Sequence, residues 1–150
     1  MIFWDSSAIV PLLVNEPKTA EAQTALKGDR AIMVWCLTFL EATSALNRRL
    51  RTEEIHFGHF RAGEERLKKL SAAWDQIVFS DKLTQLTARL LRTHPLRTAD
   101  ALQLAAALVA GGHDASQVNF FSYDERLNEA AAREGLSLFD AQGSLKEKDA

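Results

Sequence analysis

The most regular feature of the hydrophobic pattern is an apolar helix that carries one carboxylate near its start. Apolar side chains cover most of the helical surface of residues 99–110, which predicts a buried helix. Asp100 is the exception, and in the first turn the helix dipole and unpaired backbone N–H groups favour its ionised form. The simplest interpretation is that Thr98 caps the helix and Asp100 complements the dipole. For this helix taken alone, that structural interpretation is favoured.

Short apolar segments alternate with helical patterns along the rest of the chain. The predicted strands are residues 1–5, 31–36, 76–79, 118–122 and 135–139. The predicted helical segments are residues 8–14, 18–27, 40–51, 53–71, 81–93, 99–110 and 125–133. Strands separated by helices imply parallel pairs joined by right-handed crossovers. We therefore expect an α/β protein, a three-layer α/β/α sandwich with a short, mainly parallel central sheet.

Four acidic residues stand at the expected strand and helix ends. Asp5 and Asp124 follow strands directly, whereas Glu41 and Asp100 lie in the first turns of helices that can face the same rim. Ligands bind at the carboxyl ends of the strands in open parallel sheets. Carboxylates gathered there would repel one another and raise each other's pKa unless a cation were present. Carboxylate oxygens suit Mg²⁺ or Mn²⁺, which can activate water for attack on a phosphodiester.

Each acid also has a structural explanation. Asp5 could cap the segment that follows it, and Thr38 with Glu41 has the spacing of a capping box. Ser122 and Glu125 have the spacing of a second capping box, beside Asp124. Helices start at this rim in every doubly wound fold, so the shared placement alone does not decide between caps and ligands.

Composition bounds the class of protein. The 150 residues are 47% hydrophobic, which suits one domain with a proper core, placed at residues 1–140 and followed by a polar tail at 141–150. A net charge of −2 argues against a generally basic nucleic-acid binder, although a local basic face remains open. Cys36 is the single cysteine and is expected to be a buried packing residue. Without a secretory or membrane-spanning pattern, a cytoplasmic protein is expected.

The other polar and aromatic side chains have ordinary structural explanations. His56 and His59 are expected to form a surface pair, and His94 and His113 are expected in loops. Trp4, Trp35 and Trp74 are expected in the core. Six arginines could hold the phosphates of a nucleic acid, with a solvated helix face as the equal alternative: Arg48, Arg49, Arg51, Arg89, Arg92 and Arg97.

Four blocks that contain the acids resemble those of PIN domains, and more closely those of the VapC-type toxins of bacterial and archaeal toxin–antitoxin pairs. The blocks are Asp5-Ser6-Ser7-Ala8, Leu40-Glu41-Ala42 with Ala45-Leu46 and Arg48-Arg49, Arg97-Thr98-Ala99-Asp100-Ala101-Leu102 with Leu104-Ala105, and Ser122-Tyr123-Asp124-Glu125-Arg126-Leu127 with Ala130-Ala131 and Gly135. The likeness runs from residue 2 to about residue 139, in the family's order and spacing.

The resemblance implies a Mg²⁺- or Mn²⁺-dependent endoribonuclease. Its acidic site would consist of Asp5, Glu41, Asp100 and Asp124. Ser6 or Ser122 would contribute secondarily, and Ser122 stands where a Thr is often found, which keeps the hydroxyl. The resemblance also implies a homodimer, and inhibition by an antitoxin whose tail enters the cleft.

The same resemblance suggests a division of roles. Asp5 and Asp100 would hold the principal metal, directly or through water. Asp124 would complete the metal shell or help a second, substrate-dependent metal. Glu41 would orient or deprotonate the attacking water. Two other functions remain open at this point. One is a catalytically inactive PIN-like domain that binds a partner. The other is a phosphatase or phosphotransfer domain, although Asp5-Ser-Ser-Ala lacks the second Asp that many such enzymes carry.

Overall fold

The computed structural model describes residues 1–140, so the tail predicted at residues 141–150 lies outside it. Within that range the strands are β1 (Ile2–Trp4), β2 (Ile32–Trp35), β3 (Asp75–Ile77), β4 (Asn119–Phe121) and β5 (Ser137–Leu138). The helices are α1 (Ser6–Leu13), α2 (Thr19–Gly28), α3 (Thr38–Arg51), α4 (Phe57–Ala73), α5 (Asp81–Thr93), α6 (Thr98–Gly111) and α7 (Glu125–Arg133). A 3₁₀ turn, Ala115–Gln117, precedes β4.

The strands form one sheet in the order β3-β2-β1-β4-β5, and every pair is parallel. The chain builds outward from β1 in one direction through β2 and β3, and in the other through β4 and β5. The strand order therefore reverses between β1 and β4, where Trp4 aligns with Phe121. A crevice at the carboxyl ends of two such strands is the usual ligand site of an open parallel sheet.

Two apolar layers cover the sheet, as the alternating pattern predicts. One face of β1 packs Trp4 against α1 to α4, and the other packs Phe3 against α5, α6 and α7. Trp4 and Trp35 are fully buried and Trp74 is nearly so, which confirms their expected place in the core. The three-layer sandwich and its parallel sheet are thus confirmed.

The apolar helix that dominates the sequence pattern is α6, and it is buried as expected. Six of its residues are buried between the sheet and its neighbouring helices. Gly112 follows with φ of +60°, a left-handed conformation that glycine adopts without strain, and this ends the helix. Asp100 lies in the first turn, at the rim of the sheet.

The start of α3 corrects one sequence prediction. The helix begins at Thr38, with Leu37 in the N-cap position, and among the described residues no side chain caps it. Thr38 is fully buried, and its hydroxyl faces inward and accepts a hydrogen bond from Gln103. The predicted capping box of Thr38 and Glu41 is therefore wrong, which leaves the Glu41 carboxylate for other contacts.

Two further caps are also placed differently from the prediction. The N-cap of α6 is Arg97 rather than Thr98, which is the first helical residue. The N-cap of α7 is Asp124, whose carboxylate caps the helix. The predicted box of Ser122 and Glu125 is wrong because the Ser122 hydroxyl bonds to a side chain of another element, described below.

Three local expectations change for reasons of packing. Among residues 1–140, β3 is an edge strand that pairs with β2 alone. Its ladder ends at Ile77, and residues 78–79 of the predicted strand are exposed. Cys36 is half-buried rather than buried. His94 ends α5 instead of lying in an open loop, and its buried ring shares a 2.7 Å hydrogen bond with Glu134. None of the helices in residues 1–140 is long and apolar enough to cross a membrane.

Candidate active site

Asp5 lies at the bottom of the crevice between β1 and β4, and it is only 4% exposed. Its Oδ2 accepts hydrogen bonds from the Ser7 hydroxyl at 2.6 Å, the Ser122 hydroxyl at 2.9 Å and the Ser7 backbone N–H at 3.3 Å. The last contact caps α1, so the structural interpretation of Asp5 is correct as well. Burial nevertheless dominates these bonds and raises the pKa of the Asp5 carboxyl.

Two serine hydroxyls join the ends of β1 and β4. The Ser7 hydroxyl lies 3.2 Å from the Ser122 hydroxyl and accepts a hydrogen bond from the Tyr123 backbone N–H. The Ser122 hydroxyl accepts one from the Asp124 backbone N–H at 3.0 Å. These bonds hold the segment Ser122–Asp124 next to Asp5. They therefore place Asp124, the N-cap of α7, at this rim.

Glu41 reaches the same crevice from the first turn of α3. Its Oε2 accepts a 3.3 Å hydrogen bond from the Ser6 hydroxyl, and its Oε1 accepts a 3.0 Å bond from the Gln103 amide. Burial, followed by the charge of Asp5, raises the pKa of Glu41 to about 7. A carboxyl with that pKa is divided between its two protonation states near neutral pH, which suits a group that exchanges a proton with water.

Asp100 and Asp124 approach from the other side of the crevice. Asp124 Oδ1 accepts the Leu127 backbone N–H at 3.1 Å. Asp100 is half-buried, and burial together with the charges of Asp124 and Asp5 raises its pKa, while Arg97 and Arg126 oppose the rise. These charge effects place Asp100 near both Asp124 and Asp5.

The four predicted acids lie within reach of one another's charges, although they line two cavities, Glu41 one of them and Asp100 and Asp124 the other. Charge repulsion links Glu41 to Asp5 and to Asp100, and Asp100 to Asp5 and Asp124. Within residues 1–140, however, no three acidic, histidine or cysteine side chains are already disposed as a metal-binding group. The oxygen donors have the chemistry that Mg²⁺ or Mn²⁺ requires, and a hydrated Mg²⁺ contacts few side chains directly. The donor set therefore suits such an ion by its chemistry.

Basic side chains line the cavities on both sides of the acids. On the α1 and α3 side, a cavity of about 520 Å³ is lined by Glu41, Ser6 and Arg48, with Lys18 at its edge. On the opposite side, Asp100 and Asp124 share a cavity of about 340 Å³ with Arg97 and Arg126. Each cavity thus places cations next to the acids, which is the arrangement that a polyanion needs to approach them.

The six arginines considered from sequence divide into three groups. Arg48, Arg49 and Arg97 line these cavities, although Arg49 is paired with Glu16 at 2.7 Å. Arg89 lies elsewhere and pairs with Glu134, on the outer side of α5. Arg51 and Arg92 are exposed.

The histidines stand apart from the acids. His56 and His59 are exposed on or next to α4, as expected for a surface pair. His113 is exposed beyond the end of α6.

Sequence reasoning missed four residues of the site: Ser7, Lys18, Gln103 and Arg126. Ser7 lies within the block that carries Asp5, but nothing in the sequence says which of the two serines bonds to it. Gln103 had a readable signal, because it is the one polar residue between Asp100 and Gly111. It also stands three residues after Asp100, which puts both on one side of α6.

Comparison with known proteins agrees with this geometry. Residues 2–133 match the PIN domain family model. Over 142 residues the chain is 29% identical to Ribonuclease VapC45 of Mycobacterium tuberculosis (strain CDC 1551 / Oshkosh), which covers 95% of this chain and 96% of that protein.

Two solved structures share the fold. VapC20 of Mycobacterium tuberculosis, described as a sarcin-ricin loop cleaving toxin, has a TM-score of 0.65 at 20% identity, covering 87% of this chain and 95% of that one. A toxin–antitoxin complex from Klebsiella pneumoniae has a TM-score of 0.61 at 15% identity, covering 83% and 87%. With a family model that matches most of its length and an acid-lined crevice at the expected rim, this chain belongs to the PIN domain family.

Proposed function

We propose that this chain is a divalent-metal-dependent endoribonuclease, the toxin of a toxin–antitoxin pair. The observation that carries the proposal is the group of mutually repelling carboxylates at the point where the strand order reverses. The name of the VapC45 relative, a ribonuclease, and the description of VapC20 as an RNA-loop cleaving toxin support the same activity.

Asp5, Asp100 and Asp124 would hold the metal, Mg²⁺ or Mn²⁺, directly or through water. When bound, the ion would lower the pKa of a coordinated water and stabilise the charge that develops on the phosphate. Ser7 and Ser122 hold one oxygen of Asp5 in place, so this carboxylate does not need to reorganise when it binds. Ser122, through this bond to Asp5, and Ser6, through its bond to Glu41, would be the secondary contributors.

Glu41 would take the proton of the attacking water or orient that water. Its pKa of about 7 and its partly exposed position at the cavity edge support this role. A base with a pKa near the working pH combines a large deprotonated fraction with enough basicity to accept a proton.

The cations on both sides of the acids support RNA as the substrate. A single phosphate monoester needs cations at one place, whereas a nucleic-acid strand has phosphates before and after the bond that is cut. Arg48 and Lys18 on one side, and Arg97 and Arg126 on the other, would hold those neighbouring phosphates. This arrangement favours a strand-cleaving enzyme over a phosphatase or phosphotransfer domain.

An antitoxin and a second copy of this chain are the proposed protein partners. The fold likeness to a toxin–antitoxin complex supports the first. Exposed apolar side chains near the carboxyl ends of β2 and β3 offer surface for either partner: Leu40, Val78 and Phe79 are 58–61% exposed. A cytoplasmic location belongs to the same proposal, because the RNA substrate and an unpaired Cys36 both fit a reducing compartment.

Replacing Asp5 or Asp100 by Asn should abolish RNA cleavage without unfolding the protein. Each change removes a charge from a repelling group, and at position 5 Asn can also replace Asp as the cap of α1, so the metal-free midpoint of thermal unfolding should stay level or rise. Cleavage is measured on a labelled single-stranded RNA with Mn²⁺ and with EDTA. The control is Asp75→Asn, an exposed acid on β3 that should leave cleavage unchanged. Undiminished cleavage by the Asp5 or Asp100 variant would show that the site is misassigned.

Stabilisation by Mn²⁺ should grow as pH rises through about 7. The pKa of Glu41 is raised from 4.5 to about 7 on folding, so in that range the folded protein binds more protons than the unfolded chain. Without metal, the free energy of unfolding should therefore fall with rising pH across this window. Mn²⁺ competes with those protons. At a concentration of a hundred times its Kd, it would raise the free energy of unfolding by about 2.7 kcal/mol. Calorimetry at pH 5 and pH 8, with and without Mn²⁺, checks this. Equal stabilisation at both pH values would contradict it.

Removing a flanking cation should weaken RNA binding and its salt dependence. Each lost phosphate contact should reduce the slope of log K against log salt by about 0.7 for single-stranded RNA. Anisotropy of a labelled oligoribonucleotide in EDTA measures binding without cleavage. Arg48→Ala and Arg126→Ala should each show the reduced slope. Arg51→Ala, at the exposed end of α3, should not. Identical slopes in all three variants would argue against the proposed phosphate contacts.

A further inference from the structure

Gln103 is a polar side chain in the middle of the buried, mainly apolar helix α6. It is 0% exposed and packed among leucines and alanines of α6. An amide is costly to bury unless its polar atoms are hydrogen-bonded, so its partners reveal what it does.

The Gln103 Nε2 group donates two hydrogen bonds, both towards α3. One goes to Glu41 Oε1 at 3.0 Å and the other to the Thr38 hydroxyl at 3.2 Å. Glu41 Oε2 accepts its bond from Ser6 on α1. The Glu41 carboxylate is thus held at both oxygens, once from α1 and once from α6. The contact from α6 is the shorter of the two.

The oxygen of the Gln103 side-chain amide makes no comparable contact. Within residues 1–140, Gln103 Oε1 is buried and has no hydrogen-bond partner. A side chain present only for stability would avoid that cost, because methionine has a similar shape and nothing polar to satisfy. The benefit of glutamine at this position therefore lies in the two hydrogen atoms that it presents to α3.

We propose that Gln103 is a positioning residue that holds the Glu41 carboxylate in the orientation needed for the attacking water. This inference rests on the proposed function, in which Glu41 serves that water. An amide whose N–H₂ faces a carboxylate also favours the ionised form, which is the form able to accept a proton. Gln103 therefore links the helix that carries Asp100 to the base on α3.

Gln103→Met tests this role. We expect kcat for RNA cleavage to fall roughly 10- to 100-fold, since loss of a supporting hydrogen bond or a misplacement of about 1 Å has that effect. KM should change less than about twofold, because Gln103 is buried and touches no substrate. The midpoint of thermal unfolding should change little, because the unsatisfied oxygen disappears together with the two bonds.

Thr87→Val is the matched control for loss of a buried polar group. Thr87 is buried on α5, and its hydroxyl donates to the Leu83 carbonyl of the same helix. Its loss should leave kcat unchanged. If Gln103→Met lowers stability and leaves kcat at the wild-type value, Gln103 is structural and the proposal is overturned.

A double variant tests whether Gln103 acts through Glu41. In single-turnover cleavage with excess enzyme, Glu41→Gln should lower the rate by about 10² to 10⁴. Adding Gln103→Met should lower it no further, because the group that it positions is already altered. A further fall equal to that of Gln103→Met alone would mean that the two residues act independently.

The contact itself is tested without activity. In the metal-free protein, the side-chain amide NMR resonances of Gln103 should move on Glu41→Gln and stay in place on Asp75→Asn. Unmoved resonances in both variants would overturn the proposal. A wild-type protein that cuts no RNA with Mn²⁺ would instead overturn the proposed function. A wild-type enzyme that cuts, alongside a Gln103→Met enzyme that cuts equally well, would overturn the positioning role alone.

Discussion

Burial and repulsion of the carboxylates at one end of the sheet determine the energetics of the site. Burial raises the pKa of Asp5, Glu41 and Asp100, and neighbouring charges add to the rise at Glu41 and Asp100. The folded protein therefore holds these groups in an environment that disfavours their ionised forms. Hydrogen bonds from serine hydroxyls and the Gln103 amide lessen this cost without removing it. A divalent cation is the species that would remove it, which connects the energetics of the fold to the chemistry of the site.

The topology explains why the acids meet. Parallel strands point all their carboxyl ends to one rim, and β1 and β4 diverge there in their onward connections. Asp5 and Asp124 follow these two strands, and the starts of α3 and α6 bring Glu41 and Asp100 alongside. Helix N-termini also stabilise negative charge, so caps and candidate metal ligands occupy the same positions. For Asp5 and Asp124 the capping interpretation is correct, and the metal-binding role is the one proposed above.

Much of the fold, and the identity of the four acids, could be predicted from the sequence because hydrophobic periodicity is a local property. The apolar helix α6, the parallel sheet and the four acids all follow from residues close together in the chain or from the quoted family blocks. The errors concern contacts between distant segments. Thr38 looked like a cap, but its hydroxyl faces Gln103, 65 residues away. Ser122 looked like a cap, but it bonds to Asp5, 117 residues away. His94 looked like a loop residue because its partner Glu134 lies on a distant element. No local pattern encodes such pairs.

We propose that the gathered carboxylates form one divalent-cation site. A crystal structure of the wild-type protein grown with Mn²⁺ would locate the ion through the anomalous scattering of the metal. We expect an anomalous peak between Asp5, Asp100 and Asp124, with at least one carboxylate oxygen at bonding distance and water completing the shell. Full occupancy of Mn²⁺ at another place on the protein, with these carboxylates unchanged, would contradict it.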